Sequence, residues 1–192
     1  MSDRGHFART ADVSRETLDR FDIYASLLEK WNPAINLVAK STLSELWSRH
    51  FLDSAQILSV IGCSEGHWAD LGSGGGFPGL VVAILASEMH PELKVTCIES
   101  DLRKATFLRT VIRETGLDAQ VRTGRVELIE PLAAEVVSAR ALSPLTRLLG
   151  YAARHLAVGG DAVFLKRAGV GAVLQEALET WTFRLDTYPS KT

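Results

Sequence analysis

The stretch Asp70-Leu71-Gly72-Ser73-Gly74-Gly75-Gly76-Phe77-Pro78-Gly79 separates a short apolar run from a longer apolar run of helical spacing. A chain built this way must turn sharply from a strand into a helix. Glycine has no Cβ, so such a turn tolerates positive φ and lets a ligand come close to the backbone. The helix that starts near Phe77 presents N–H groups without intrahelical partners to polar ligand atoms, and Pro78 suits its first turn. The regular period on both flanks favours a strand-turn-helix cradle for a nucleotide-like cofactor over a flexible Gly/Ser loop.

Two glycine patterns overlap in this turn. Gly74-x-Gly76-x-x-Gly79 satisfies the dinucleotide fingerprint, and Glu99 follows Gly79 by twenty residues, where a ribose-binding acid belongs. Asp70-x-Gly72-x-Gly74-x-Gly76 instead resembles the first motif of S-adenosylmethionine-dependent methyltransferases. Glu99 serves either pattern, since a carboxylate ending the second strand accepts hydrogen bonds from the ribose hydroxyls of any adenosine cofactor. Asp70 tips the balance toward the second pattern: an anion beneath the turn repels a pyrophosphate and attracts a sulfonium or ammonium group.

The chain has 192 residues, of which 46% are hydrophobic and 23% charged, which suits one globular domain. Cys63 and Cys97 show no metal-binding spacing and read as reduced, buried thiols. The N-terminal residues lack the apolar core of a signal peptide, and no apolar run is long enough to span a bilayer. A cytoplasmic protein is expected. The net charge of -2 argues against a wholly basic nucleic-acid binder and leaves room for a local basic face.

Periodicity divides the chain into a helical N-terminal extension over 1–62 and an α/β cofactor-binding core over 63–192, together one domain. Leu18, Phe21, Tyr24, Ala25, Leu28 and Trp31 predict an amphipathic helix over 14–31, stopped by Asn32-Pro33. Thr42 and Glu45 have capping-box spacing, predicting a second helix to about Val60. Strands are expected at 67–71, 94–99, 119–123, 134–139, 161–166 and 182–188, and helices at 77–88, 101–115, 144–156 and 169–180. Their alternation predicts a Rossmann-like, doubly wound, mostly parallel sheet. In the 101–115 helix, Leu102, Ala105, Leu108, Val111 and Ile112 are assigned to the apolar face.

Arg103, Lys104, Arg109 and Arg113 on that helix are either plain solvated charge or part of a basic rim with Arg122, Arg125, Arg140, Arg147, Lys166 and Arg167. A rim around the crevice makes RNA a candidate substrate. The chemistry is narrowed by what the candidate reactive positions carry. After the fourth strand the sequence reads Val137-Ser138-Ala139-Arg140-Ala141-Leu142-Ser143-Pro144, without the Asn/Asp-Pro-Pro-aromatic loop used on exocyclic amines. Neither cysteine sits beside proline as a nucleophile for cytosine C5 would. A ring nitrogen such as guanine N7 already carries an in-plane lone pair and needs alignment rather than a general base.

Lys30-Trp31-Asn32-x-x-x-Asn36-Leu37, Arg49-His50-x-x-Asp53-Ser54, the Asp70–Gly79 turn, Glu99-Ser100-x-x-Arg103-Lys104, Arg125-Val126-Glu127 and Ser138-Ala139-Arg140-Ala141 follow one another in this order. In that order the chain resembles, over roughly 15–168, the bacterial small-subunit ribosomal RNA guanine-N7 methyltransferases, once called glucose-inhibited division protein B. The resemblance implies methyl transfer from S-adenosylmethionine to N7 of one guanosine in 16S rRNA or a small-subunit precursor, by a monomer. It also implies cofactor contacts at Gly72, Phe77, Val126, Glu127 and Arg140, and a place near the target base for Lys166.

From the residues themselves, Asp70, Gly72, Gly74, Gly76 and Glu99 form the cofactor set, with Arg140 at the carboxyl end of the fourth strand, where open sheets place ligands; the resemblance adds Lys166 near the reaction. Phe77 either covers the cofactor or belongs to the core. Glu127 is either an acceptor for an adenine amino group or an exposed charge at a helix start. His50 and Asp53, three apart on a helix face, are read as structural hydrogen-bonding groups, and Trp31 and Asn36 as joints between N-terminal helices. Two other readings stay open at this point: an NAD(P)-dependent oxidoreductase, and a catalytically silent RNA-binding module on the same fold.

Overall fold

The computed structural model describes residues 3–140, 142–165 and 171–190. Strands β1 (Gly66–Leu71), β2 (Leu93–Glu99), β3 (Ala119–Thr123), β4 (Ala134–Arg140) and β5 (Leu156–Leu165) form one sheet in the order β3-β2-β1-β4-β5. Every neighbouring pair is parallel. The strand order reverses between β1 and β4, and open α/β sheets bind ligands outside the carboxyl ends of their strands at such a point.

Side chains alternate across this sheet with period two, and that alternation assigns the site residues to faces. Trp68, Val95, Cys97 and Val136 pack on the face shared with the N-terminal helices, whereas Ala69, Leu71, Ile98, Val137 and Ala139 pack on the other. Asp70, Ser138 and Arg140 therefore share the first face. Helices α4 (Gly79–Met89) and α5 (Leu102–Thr115) cover that face, while α6 (Leu145–His155) covers the second, with α7 (Gly171–Leu178) against α6. Helix α4 is buried from Gly79 to Ala86 because the sheet lies on one side of it and α2 and α3 on the other.

The N-terminal extension comprises α1 (Asp3–Ala11), α2 (Arg15–Ile35), a 3-10 turn (Lys40–Glu45), a π-helical turn (Trp47–Leu52) and α3 (Asp53–Ile61). Phe7, Phe21, Tyr24, Trp47 and Phe51 interlock here, with the Phe7 and Phe21 rings edge to face at 4.8 Å. This cluster continues into the core through Phe77 and Phe107. Among the described residues, no helix is long and apolar enough to cross a membrane.

Several expected boundaries move. Asn32-Pro33 does not stop α2, which runs on to Ile35. Pro33 lies in the last turn and withholds one N–H from the ladder, a cost the helix bears without ending there, and Asn36 closes it at φ 48° by donating to Asn32 O. Thr42 does not form a capping box, because its hydroxyl donates to Ala39 O and accepts from His50. The segment from Thr42 to Val60 is consequently broken into 3-10, π and α pieces.

Helix α4 begins at Gly79, which leaves Phe77 in the turn. Leu102 is 71% exposed and off the core face, whose aromatic member is Phe107. Strand β5 starts at Leu156, directly after α6. Residues 182–188, expected as a strand, form none: they pair with no strand of the sheet, and two residues further on Ser190 bonds to Asp53 and Gln56 of α3. Trp31 of α2 lies against the Phe107 ring of α5 at 5.8 Å.

Candidate cofactor site

The turn after β1 is held from three directions. Gly72, Gly74 and Gly76 take φ of 65°, 56° and 94°, a region that side-chain-bearing residues rarely enter. Ser73 ties it inward, its N–H donating to Ile98 O and its hydroxyl to Asp70 O. From α2, the hydroxyl of the fully buried Tyr24 donates to Gly75 O. A Cβ on Gly76 would collide with that same hydroxyl.

Asp70 lies beneath the turn with no exposed surface. Its Oδ1 accepts from Ser138 Oγ at 2.7 Å, and Ser138 Oγ accepts from Trp68 Nε1 at 2.9 Å. Among the described residues Oδ2 has no hydrogen-bond partner of good geometry, and a Cβ on Gly79 would stand 2.8 Å from it. The first residue of α4 therefore rests directly on the carboxyl. Burial lifts that carboxyl to about 6, against the pull of the Ser138 hydroxyl. The N-terminal end of α4, where a pyrophosphate would have to settle, is thus already faced by an acid of the protein itself.

Glu99, at the end of β2, is 7% exposed. Its Oε2 accepts from Gly74 N at 2.8 Å and its Oε1 from Asp101 N at 2.8 Å. Each oxygen keeps a second lone pair for a ligand hydroxyl. The carbonyl of Glu99 accepts from Gly124 N, which brings the segment after β3 alongside. In that segment Val126 is buried with Ile98, its carbonyl accepting from His155 Nε2 at 2.9 Å, and Glu127 pairs with Arg125 at 2.6 Å.

Arg140 ends β4 on the opposite side of the turn. Its guanidinium lies 4.5 Å over the Phe77 ring, and Nη1 donates to His50 Nδ1 at 3.0 Å. Phe77 itself is buried, stacked on Tyr24 at 5.6 Å. Burial, reinforced by the charges of Arg140 and Arg49, drives the His50 ring down to about 4. At neutral pH His50 is an uncharged acceptor. Burial likewise lowers the Arg140 pKa from its ordinary value, opposed by Tyr24, Asp53 and Asp70. Lys166, Arg167 and Ala141 lie outside the described residues.

The match to known proteins agrees with this arrangement. Residues 17–186 match the family rRNA small subunit methyltransferase G. The chain belongs to this family. A ribosomal RNA small subunit methyltransferase G of Ruegeria pomeroyi is 51% identical over 186 residues, covering 96% of this chain and 90% of the relative. Another from Rhodospirillum centenum is 50% identical, covering 97% of this chain and 84% of the relative. Among solved structures, a SAM-dependent methyltransferase from Aquifex aeolicus superposes with TM-score 0.54 at 17% identity, over 80% of this chain and 87% of that one. A putative S-adenosyl-L-methionine-dependent methyltransferase from Methanococcus maripaludis gives TM-score 0.54 at 15% identity, over 81% and 68%. These two establish the fold alone.

Within the site, three participants are not evident from sequence. Tyr24 is legible there as one apolar position of a helix, and nothing in its spacing announces a bond to Gly75. Leu142 sits against Gly72, where a Cβ would strike its side chain. Ser138 stands inside the quoted strand motif, and its link to Asp70 follows only from the β1–β4 pairing that sets Asp70 opposite Ser138.

Proposed function

We propose that this chain transfers a methyl group from S-adenosylmethionine to N7 of a guanosine in 16S rRNA, acting on the small subunit or its precursor as a cytoplasmic monomer. Family membership carries this reading. The acid facing the start of α4 supports it independently and counts against the dinucleotide alternative, which needs that helix end free for phosphate.

The residues present fit the donor. Gly72, Gly74 and Gly76 leave backbone bare for close approach, and Glu99 has lone pairs for ribose hydroxyls. Val126 and Glu127 stand beside Glu99 for the adenine, the latter once released from Arg125. Arg140 offers donors to an anionic group or to guanine O6, and Phe77 supports it from below. Asp70 shapes the turn and adds negative potential beneath it. Lys166 keeps its proposed place near the base. When bound, S-adenosylmethionine supplies an electrophilic methyl group on a sulfonium.

Guanine N7 has no proton to lose, so the protein's task is to hold N7 in line and exclude water. In an RNA duplex that edge lies in the deep major groove, so the target is an accessible or splayed guanosine. No described side chain is required as a base, and His50, an uncharged acceptor already engaged by Arg140, is not poised as one.

Mass spectrometry of rRNA from cells with and without the gene tests the proposal, with loss of one 7-methylguanosine from 16S rRNA expected. Unchanged 7-methylguanosine in the deletion strain overturns it. A silent RNA-binding module on this fold would show no rise in melting temperature with S-adenosylmethionine, whereas an enzyme is stabilised by mass action.

A further inference from the structure

We infer that His50 is a positioning residue which, from the N-terminal extension, holds the Arg140 guanidinium at the crevice through a neutral acceptor and so leaves its charge unspent for an anionic ligand group. The inference rests on the reading of Arg140 as a binding residue. Arginine stays protonated and can only donate, so His50 Nδ1, 3.0 Å from Nη1, must offer its lone pair. The imidazole proton is then on Nε2, which donates to Thr42 Oγ1 at 2.8 Å, and Thr42 donates in turn to Ala39 O at 2.8 Å. Three successive bonds, together with the Phe77 ring 5.1 Å away, fix the imidazole.

Among the described residues, no carboxylate lies within ion-pair distance of Arg140. Asp53 and Asp70 act on it only as more distant charges. A carboxylate in place of His50 would hold the guanidinium equally well and neutralise it. Imidazole supplies the direction without the countercharge. The ring keeps this role across neutrality, because burial and the neighbouring arginines prevent its protonation.

Asparagine and aspartate place the same kind of acceptor near the Nδ1 position and differ in charge, which separates the two effects. We would compare His50→Asn, His50→Leu, His50→Asp and Arg140→Gln for donor affinity by calorimetry, kcat/KM on undermethylated small subunits, melting temperature and pH profile. His50→Leu is expected to lower kcat/KM by about tenfold or more through misplacement of the guanidinium. His50→Asn should recover most of that loss, while His50→Asp should fall as far as Arg140→Gln. The pH profile between about pH 6 and 9 should keep its shape in every variant, since none removes a titrating base.

If Arg140→Gln is impaired and His50→Leu matches the parent, the positioning role is wrong while the reading of Arg140 stands. An unimpaired Arg140→Gln would remove that reading itself. Equal losses in His50→Asn and His50→Leu that track melting temperature would reduce His50 to a structural residue and overturn the inference.

Discussion

Glu99 spends each carboxylate oxygen on a backbone N–H, one in the glycine turn and one at the start of α5. Glu99→Ala therefore removes both the proposed ribose acceptor and the brace that sets the turn, and donor affinity should fall by about 1–3 kcal/mol. Calorimetry showing unchanged affinity would reassign the acid. Asp70 behaves oppositely. Its carboxyl is lifted to about 6, above the value of about 3.9 in an unfolded chain, so the native state holds the proton more tightly. That contribution to stability is complete below about pH 4 and disappears as pH rises through 6. Asp70→Asn stays neutral throughout and should gain up to about 3 kcal/mol relative to the parent between pH 4 and pH 8, read by urea unfolding at both values. A pH-independent difference would contradict a buried, uncompensated charge. The sequence showed an acid near the end of the first strand, just before the glycines, but its partner Ser138 is brought opposite only by the β1–β4 register.

At the scale of elements, α2 is a second wall of the cofactor turn. Tyr24→Phe keeps the ring stacked on Phe77 while leaving the Gly75 carbonyl without its buried donor, a loss of about 1–3 kcal/mol in unfolding free energy. Donor affinity should weaken with it. Full stability in denaturant titration would mean that water replaces the hydroxyl. The elements themselves were largely legible, because strand alternation and helical spacing are local and strong from β1 to α6. The exceptions have local causes too. Pro33 misleads because a proline removes one helical bond without always ending the helix, and Thr42 because its hydroxyl is engaged by Ala39 and His50 instead of the helix start. The alternation Thr182-Phe183-Arg184-Leu185 is a real strand pattern, yet a strand also requires a partner, and the sheet ends at β5 without taking this segment. The His50–Arg140 bond was beyond sequence reasoning, since one residue sits in the π-helical turn and the other ends β4, 90 positions later, and only the folded chain brings them together.

For the whole molecule, a net charge of -2 means that RNA affinity must arise from a local patch. The structure sorts the candidates: Arg113 pairs with Glu114, Arg125 with Glu127, and Arg109 donates to Val121 O and Thr123 Oγ1. Arg103 and Lys104, beside Glu99 at the first turn of α5, are better placed, Arg103 having only a loose 3.6 Å approach to Asp101. Arg103→Ala combined with Lys104→Ala should flatten the log-log dependence of rRNA affinity on salt by about one unit for each phosphate no longer neutralised. Arg113→Ala, at the far end of α5, should leave the slope alone. Equal slopes in all three proteins would identify the patch as ordinary solvated surface.

Tyr24 reaches a glycine carbonyl 51 positions later, and His50 an arginine 90 positions later. Translation runs in the direction that makes these contacts wait. Helix α2 and the π-helical turn leave the ribosome with their aromatic sides uncovered, and the glycine turn arrives before β4 has been made. Only after Arg140 has emerged can His50 find its donor and Asp70 its serine. Methyl-donor binding is therefore a property that the nascent chain gains late, when segments made at its beginning finally close over segments made near its end.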